Sequence, residues 1–217
     1  MSPAAAPDLS DPERFRSLWR RCLIEGARDD SAAIHRRLLE RYRESWRYYH
    51  TLEHIEHCIG WFDSCSSLVR YPDPLELAVW FHDAIWEPGN PDNEALSAEF
   101  YLEFSDGVHE PAVREQVEWL IMATLHLGSS IDADDDARYM VDIDLSSFGL
   151  PWKDFLRDSE NLRREANLDD ETYFEKARTF HRSLLDRERF YYTEFFAARL
   201  EARARDNIRR YLERIGD

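Results

Sequence analysis

Apolar residues recur along most of this chain at spacings of three and four, the period of a helix buried on one side. Phe15, Leu18, Trp19, Cys22 and Leu23 mark the first such face, and Asp11-Pro12 ahead of it supplies a cap and an N-terminal proline. Ile34, Leu38, Leu39 and Tyr42 mark the second, behind Asp30 or Ser31. A third helix starts near Thr51 and carries Ile55, Ile59 and Phe62. "RYPDP" (70–74) reads as a turn, with a helix from Pro74. "EPGNPDN" (87–93) is a loop, "NEALSAEFYLEF" a helix, and Pro111 opens another through Val113, Val117, Leu120, Ile121 and Leu125. The acidic loop "GSSIDADDDAR" leads into "YMVDIDLSSFG", and several charged amphipathic helices follow from Pro151. With 7 Gly and almost no β-branched alternation, the pattern predicts an all-α protein. Residues 1–10 read as a loose tail, and 11–217 as a single helical domain.

Composition narrows the function classes. A chain of 217 residues that is 43% hydrophobic can bury a sizeable core. A formal net charge of −16 argues against binding a nucleic-acid polymer, which needs a basic stripe. An anionic small molecule is still allowed, because a metal ion can set the local field by itself. Three cysteines, Cys22, Cys58 and Cys65, without a CxxC pair suit a reducing compartment. No apolar run reaches the ~18 residues of a membrane span, and the opening "MSPAAAPDLSDPE" is unlike a secretory signal. A cytoplasmic protein without membrane contact is the expectation.

One apolar run breaks its own pattern. "AVWFHDAIW" (78–86) places His82 and Asp83 side by side in its middle. Burying either group without a partner is costly, so partners are expected. "YYHTLEHIEH" holds His50, His54 and His57, and "YMVDIDLSSFG" sets Asp142 and Asp144 in apolar company. A divalent ion bound by His54, His82, Asp83 and Asp142 would satisfy these groups together. Mixed nitrogen and oxygen donors suit Mn, Fe, Co, Ni or Zn better than calcium, and Mg is also on the list of candidates. Adjacent residues do not share a helix stripe, so the doublet should lie near a helix end or a bend.

The ordered set His54, His82-Asp83, Asp142 resembles the HD superfamily of metal-dependent phosphohydrolases. The segments "YHTLEHI", "FHDAIW", "NEALSA", "MATLHL" and "DIDLSSFG" together resemble a bacterial group of predicted phosphohydrolases within it. That likeness runs into the arginine-rich tail. It implies a helical HD-type bundle with extra C-terminal helices, and cleavage of a small phosphate ester, such as a nucleotide, by metal-activated water. It also implies that the second histidine of "HTLEH", His54, and the first aspartate of "DIDL", Asp142, are ligands.

The remaining polar residues leave choices open. Asp83 would also accept a proton from the attacking water. His50 and His126 would brace the phosphoryl charge, or else bond to neighbouring helices. Arg47, just upstream of His50, is the first candidate for a phosphate clamp. Asn93 and Glu94 either orient water, substrate and ligands or simply open a helix. Asp144 would support the ligands from behind or pair with an arginine, and His57 reads as structural. His35, His109 and His181 lie in exposed-looking contexts and receive no role in hydrolysis. Two other functions compete: a di-iron oxygenase, which would recruit His109 and His126, and a non-catalytic helical protein with a structural metal. The charged last helix would also allow a homodimer.

Overall fold

The computed structural model describes residues 7–125 and 135–216. Ten α-helices make up the described chain: α1 (Glu13–Cys22), α2 (Ser31–Tyr42), α3 (Leu52–Cys65), α4 (Pro72–Phe81), α5 (Asn93–Ser105), α6 (Pro111–Ala123), α7 (Asp135–Asp144), α8 (Trp152–Glu165), α9 (Asp170–Leu185) and α10 (Glu194–Arg214). Short 3₁₀ segments follow α3 (Ser66–Leu68) and α7 (Leu145–Gly149). Among the described residues there is no strand beyond an isolated bridge between Leu23 and His109, so the fold is all-α. No described helix is long and apolar enough to cross a membrane.

The helix starts follow the local chemistry. Thr51 is the N-cap of α3, and α6 opens on Pro111. The helix expected from Pro74 begins two residues earlier, at Pro72, because proline is also tolerated in the first turn. Asp11 Oδ1 accepts from the Glu13 N–H and ties down the start of α1. The tail expected over residues 1–10 is already anchored at Leu9. That side chain is fully buried, and its carbonyl lies 2.9 Å from His35 Nε2.

α4 runs through the middle of the core, with every side chain from Leu75 to Phe81 buried. α3, α6 and α7 pack against it. α10 closes over the 3₁₀ segment that follows α7. That approach requires Gly149: a Cβ there would sit 2.7 Å from Leu200 Cβ. Asn207 Nδ2 donates to the Phe148 and Leu150 carbonyls, 2.8 Å each, and locks the same contact.

Three histidines that look exposed in sequence are buried. His35 bonds the Leu9 carbonyl, His181 Nδ1 bonds the Ala177 carbonyl, and His109 Nδ1 lies 3.0 Å from Tyr101 Oη. Each ring fills core space between aromatic neighbours, as His109 does 4.2 Å from the Trp19 ring.

Candidate metal centre

α3, α4 and α7 bring their ends to one corner. His54 lies in the first turn of α3, His82 and Asp83 directly follow α4, and Asp144 is the last residue of α7. His54 Nε2 and His82 Nε2 are 3.3 Å apart. Asp83 Oδ2 is 3.4 Å from the first and 3.1 Å from the second. Asp144 Oδ1 is 3.3 Å and 3.6 Å from the same two nitrogens. Donors that each sit about 2.1 Å from one ion are about 3.0–3.5 Å apart at octahedral to tetrahedral angles. The five separations given above, 3.1 to 3.6 Å, are close to that spacing.

Two details favour donors turned toward a common point. Asp83 Oδ2 is buried without a hydrogen-bond partner, although the His82 nitrogen is 3.1 Å away. His82 Nδ1 lies 3.0 Å from the Val79 carbonyl and so carries the proton, which leaves the Nε2 lone pair turned to the corner. Burial disfavours a charged His82, yet the Asp83 and Asp144 carboxylates hold its pKa well above the usual histidine value. Burial likewise opposes ionisation of Asp83, but His82 and His50 keep its carboxyl below the usual range. The corner therefore attracts one positive charge, as a proton on His82 or as a cation among the donors. The C-terminal end of α4 adds to that field.

Cys58, one turn along α3 from His54, joins the group: His54, Cys58, His82 and Asp144 offer donor atoms within 4.8 Å of one another and could hold a metal ion. Its sulfur lies 3.6 Å from His54 Nε2 and 3.9 Å from Nδ1, so it flanks the ring instead of standing on the Nε2 lone-pair axis. Burial raises the Cys58 pKa far above that of a free thiol.

The doublet is held by a set of bonds to carbonyls at and just after the end of α4, which would otherwise be orphaned. Tyr42 Oη donates to the Trp80 carbonyl, 2.8 Å. Arg47 Nη1 donates to the Asp83 carbonyl at 2.7 Å and Nη2 to the Ala84 carbonyl at 3.0 Å. Ser97 Oγ donates to the Ile85 carbonyl, 3.2 Å. Arg47, expected to clamp a phosphate, is thus a fastener of the doublet's backbone, with no exposed side-chain surface.

Asp142 and Asp144 are two apart on a helix, so they point about 200° from each other around its axis. Only one can face the corner, and it is Asp144. The expected ligand Asp142 faces α10, where it accepts from Tyr192 N–H (2.8 Å), Thr193 N–H (2.7 Å) and Thr193 Oγ1 (2.7 Å). Burial pushes its carboxyl up to about 7 against those donors.

The other candidates divide in the same way. His50 precedes α3, stacks on Trp86 with ring centres 3.5 Å apart, and bonds Glu165 Oε1 through Nδ1. His57 Nε2 donates to Ser146 Oγ at 2.9 Å, because the Ser146 hydroxyl proton is already given to the Ile143 carbonyl. Burial lowers His57 to about 4, so it is neutral and structural. Asn93 closes the loop after α4 through both its amide atoms and Glu87. Glu94 is half-buried in the first turn of α5. His126 lies outside the described residues, and His109 is packed away from the corner against Trp19 and Tyr101.

A polar chamber of about 150 Å³ opens beside His54. Thr51, Glu53, Asp154, Arg157 and Asp158 line it. Arg157, which sequence reasoning passed over, is half exposed there and bonds Asp158 at 3.0 Å. Its place in the second turn of α8 carried no local signal. No family model, curated protein or solved structure matches this chain.

Proposed function

We propose that this protein is a metal-dependent phosphohydrolase of HD type, with His54, His82, Asp83 and Asp144 as ligands and a small phosphate ester as substrate. The observation that carries the reading is the grouping of three buried donors, one of them the partnerless Asp83 Oδ2, with the half-buried Asp144, at separations of 3.1 to 3.6 Å from the two histidine nitrogens. A bound divalent ion would supply water of lowered pKa and would draw charge from a phosphoryl oxygen.

The chain's own residues do the rest. Arg157 stands in the chamber wall paired with Glu53, Asp154 and Asp158, and a phosphate would have to draw its guanidinium from those carboxylates. His50 has Nδ1 committed to Glu165, which leaves Nε2 as the atom that holds or releases a proton. Arg47 keeps Asp83 in register by gripping its carbonyl. His109 is held in the core by Tyr101 and Trp19, which favours hydrolysis over the di-iron oxygenase that would recruit it.

The test is elemental analysis of the purified chain beside a panel of phosphate monoesters and nucleotides. The expected result is metal bound and turnover present, both lost in His82→Ala and Asp144→Asn. A metal-loaded protein inactive across the panel would overturn the hydrolase reading.

A further inference from the structure

A second chamber adjoins the first. Its volume is about 310 Å³, at the small end of ligand pockets, and it lies between α8 and α9. Tyr49, Ser147 and Asp158 line both chambers. Tyr49 Oη and Ser147 Oγ bond each other at 2.8 Å, so this pair forms the partition between them. Trp86, in the wall of the second chamber, stacks on His50, whose ring centre is 6.1 Å from that of His54. The second chamber therefore adjoins the polar chamber beside His54, with the Tyr49–Ser147 pair between them.

Its chemistry differs sharply from that of the first. Phe148, Phe155, Leu162, Leu168 and Phe180 supply most of the wall. The polar groups among them are already used. Ser159 Oγ donates to the Phe155 carbonyl at 2.9 Å, and His181 Nδ1 bonds the Ala177 carbonyl. Burial lowers His181, so it is neutral. Lys176 is exposed on the outer side. A nucleobase or sugar needs several convergent donors and acceptors, and this wall offers few.

We infer that the ligand of the metal corner carries a hydrocarbon body, which lies in the α8–α9 chamber while its phosphate head occupies the polar chamber. This inference rests on the phosphohydrolase reading for the head and on the wall chemistry for the body. It commits to a phosphate ester of an aliphatic or aryl alcohol over a nucleotide.

Calorimetric titration of the metal-loaded full chain with octyl phosphate, methyl phosphate and adenosine monophosphate tests it. Each buried methylene strengthens binding about fourfold, so octyl phosphate should bind at least tenfold tighter than either of the others. Phe180→Asp puts a charge into the wall from an exposed position, which the fold tolerates, and should collapse the octyl-to-methyl ratio toward one. Ala177→Phe, which fills the chamber, should do the same. Equal affinities for the two alkyl phosphates, tighter binding of adenosine monophosphate, or an unchanged ratio in a folded Phe180→Asp would each overturn the inference. So would a Phe180→Asp chain that turns from dimer to monomer with octyl phosphate affinity intact, since the groove would then be an interface. Tight octyl phosphate binding without turnover would sink the hydrolase reading and leave the chamber assignment standing.

Discussion

Buried and half-buried carboxylates do opposite things in two parts of this molecule. Away from the metal corner, acids staple distant segments by accepting consecutive backbone N–H groups. Asp142 takes those of Tyr192 and Thr193, and Asp136 those of Arg70 and Tyr71. Glu165 takes those of Tyr48, Tyr49 and His50, and Glu201 those of Phe190 and Tyr191. At the corner, Asp83 has a buried oxygen that no backbone donor reaches and that only the His54 and His82 ring nitrogens approach. A staple acid sets backbone donors against its own desolvation, which in Asp142 they balance only in part. The corner acid is left to a cation. The difference separates a structural acid from a ligand more sharply than burial does, since Asp142 is more buried than Asp83.

The largest expected effect breaks a staple. Asp142→Ala strands two backbone donors and the Thr193 hydroxyl in the core, which should cost about 3–5 kcal/mol of stability. Urea unfolding should show the loss as a lower midpoint, while the metal content of the folded fraction is unchanged. Asp83→Asn should do the reverse: metal affinity falls at least a hundredfold, and metal-free stability changes by less than about 1 kcal/mol. If Asp142→Ala loses metal without losing stability, the two roles have been exchanged.

The next effect is metal-linked stabilisation. At a free ion concentration about a hundred times Kd, a bound ion adds about 2.7 kcal/mol, or roughly 5–10 °C in Tm for a chain of this size. Chelation should remove that shift from the wild type. Asp144→Asn should show none, and Asp142→Asn should keep it from a lower baseline. A shift that survives in Asp144→Asn would move the ligand set elsewhere.

The sequence made the corner legible only in part. The Thr51 cap, the prolines at 72–74 and 111, and the apolar stripes located the helices that carry it, because those signals are local. His82-Asp83 was conspicuous because it interrupts an apolar run. The choice between Asp142 and Asp144 was not local. Helical geometry says that one of them faces the corner; which one depends on Tyr192 and Thr193, 50 and 51 residues further on. Glu165 acts at still longer range, 115 to 117 residues from its partners. Arg47 and Arg157 could not be sorted by type either. Only packing shows that one guanidinium is fully enclosed and the other half exposed.

That pair gives a smaller, two-sided prediction. Arg157→Ala removes a partly exposed ion pair, worth less than about 1 kcal/mol to the fold. On a substrate that the enzyme turns over, it should raise KM about tenfold. Arg47→Met should instead lower stability by several kcal/mol, through the orphaned carbonyls of Asp83 and Ala84. Equal effects on KM from both would mean that Arg47 reaches substrate after all.

The smallest effect tests whether an orphaned buried atom is by itself the mark of a site. His109 Nε2 is buried and partnerless, as Asp83 Oδ2 is, but its surroundings are the Trp19 and Tyr101 rings instead of converging donors. Burial and the nearby Arg114 lower its pKa from 6.5 to about 4. Between those values the unfolded chain takes up a proton that the folded chain refuses. Stability is therefore full above pH 6.5 and declines as pH falls toward 4. His109→Phe keeps a ring against Trp19 and removes the titration. Its Tm should fall less steeply than that of the wild type over that interval, in thermal melts followed by circular dichroism. Metal content should be the same in both. An equal slope would show that His109 does not titrate with folding. A loss of metal would show that an isolated orphan atom belongs to the site, and the contrast between staple and ligand would need a different basis.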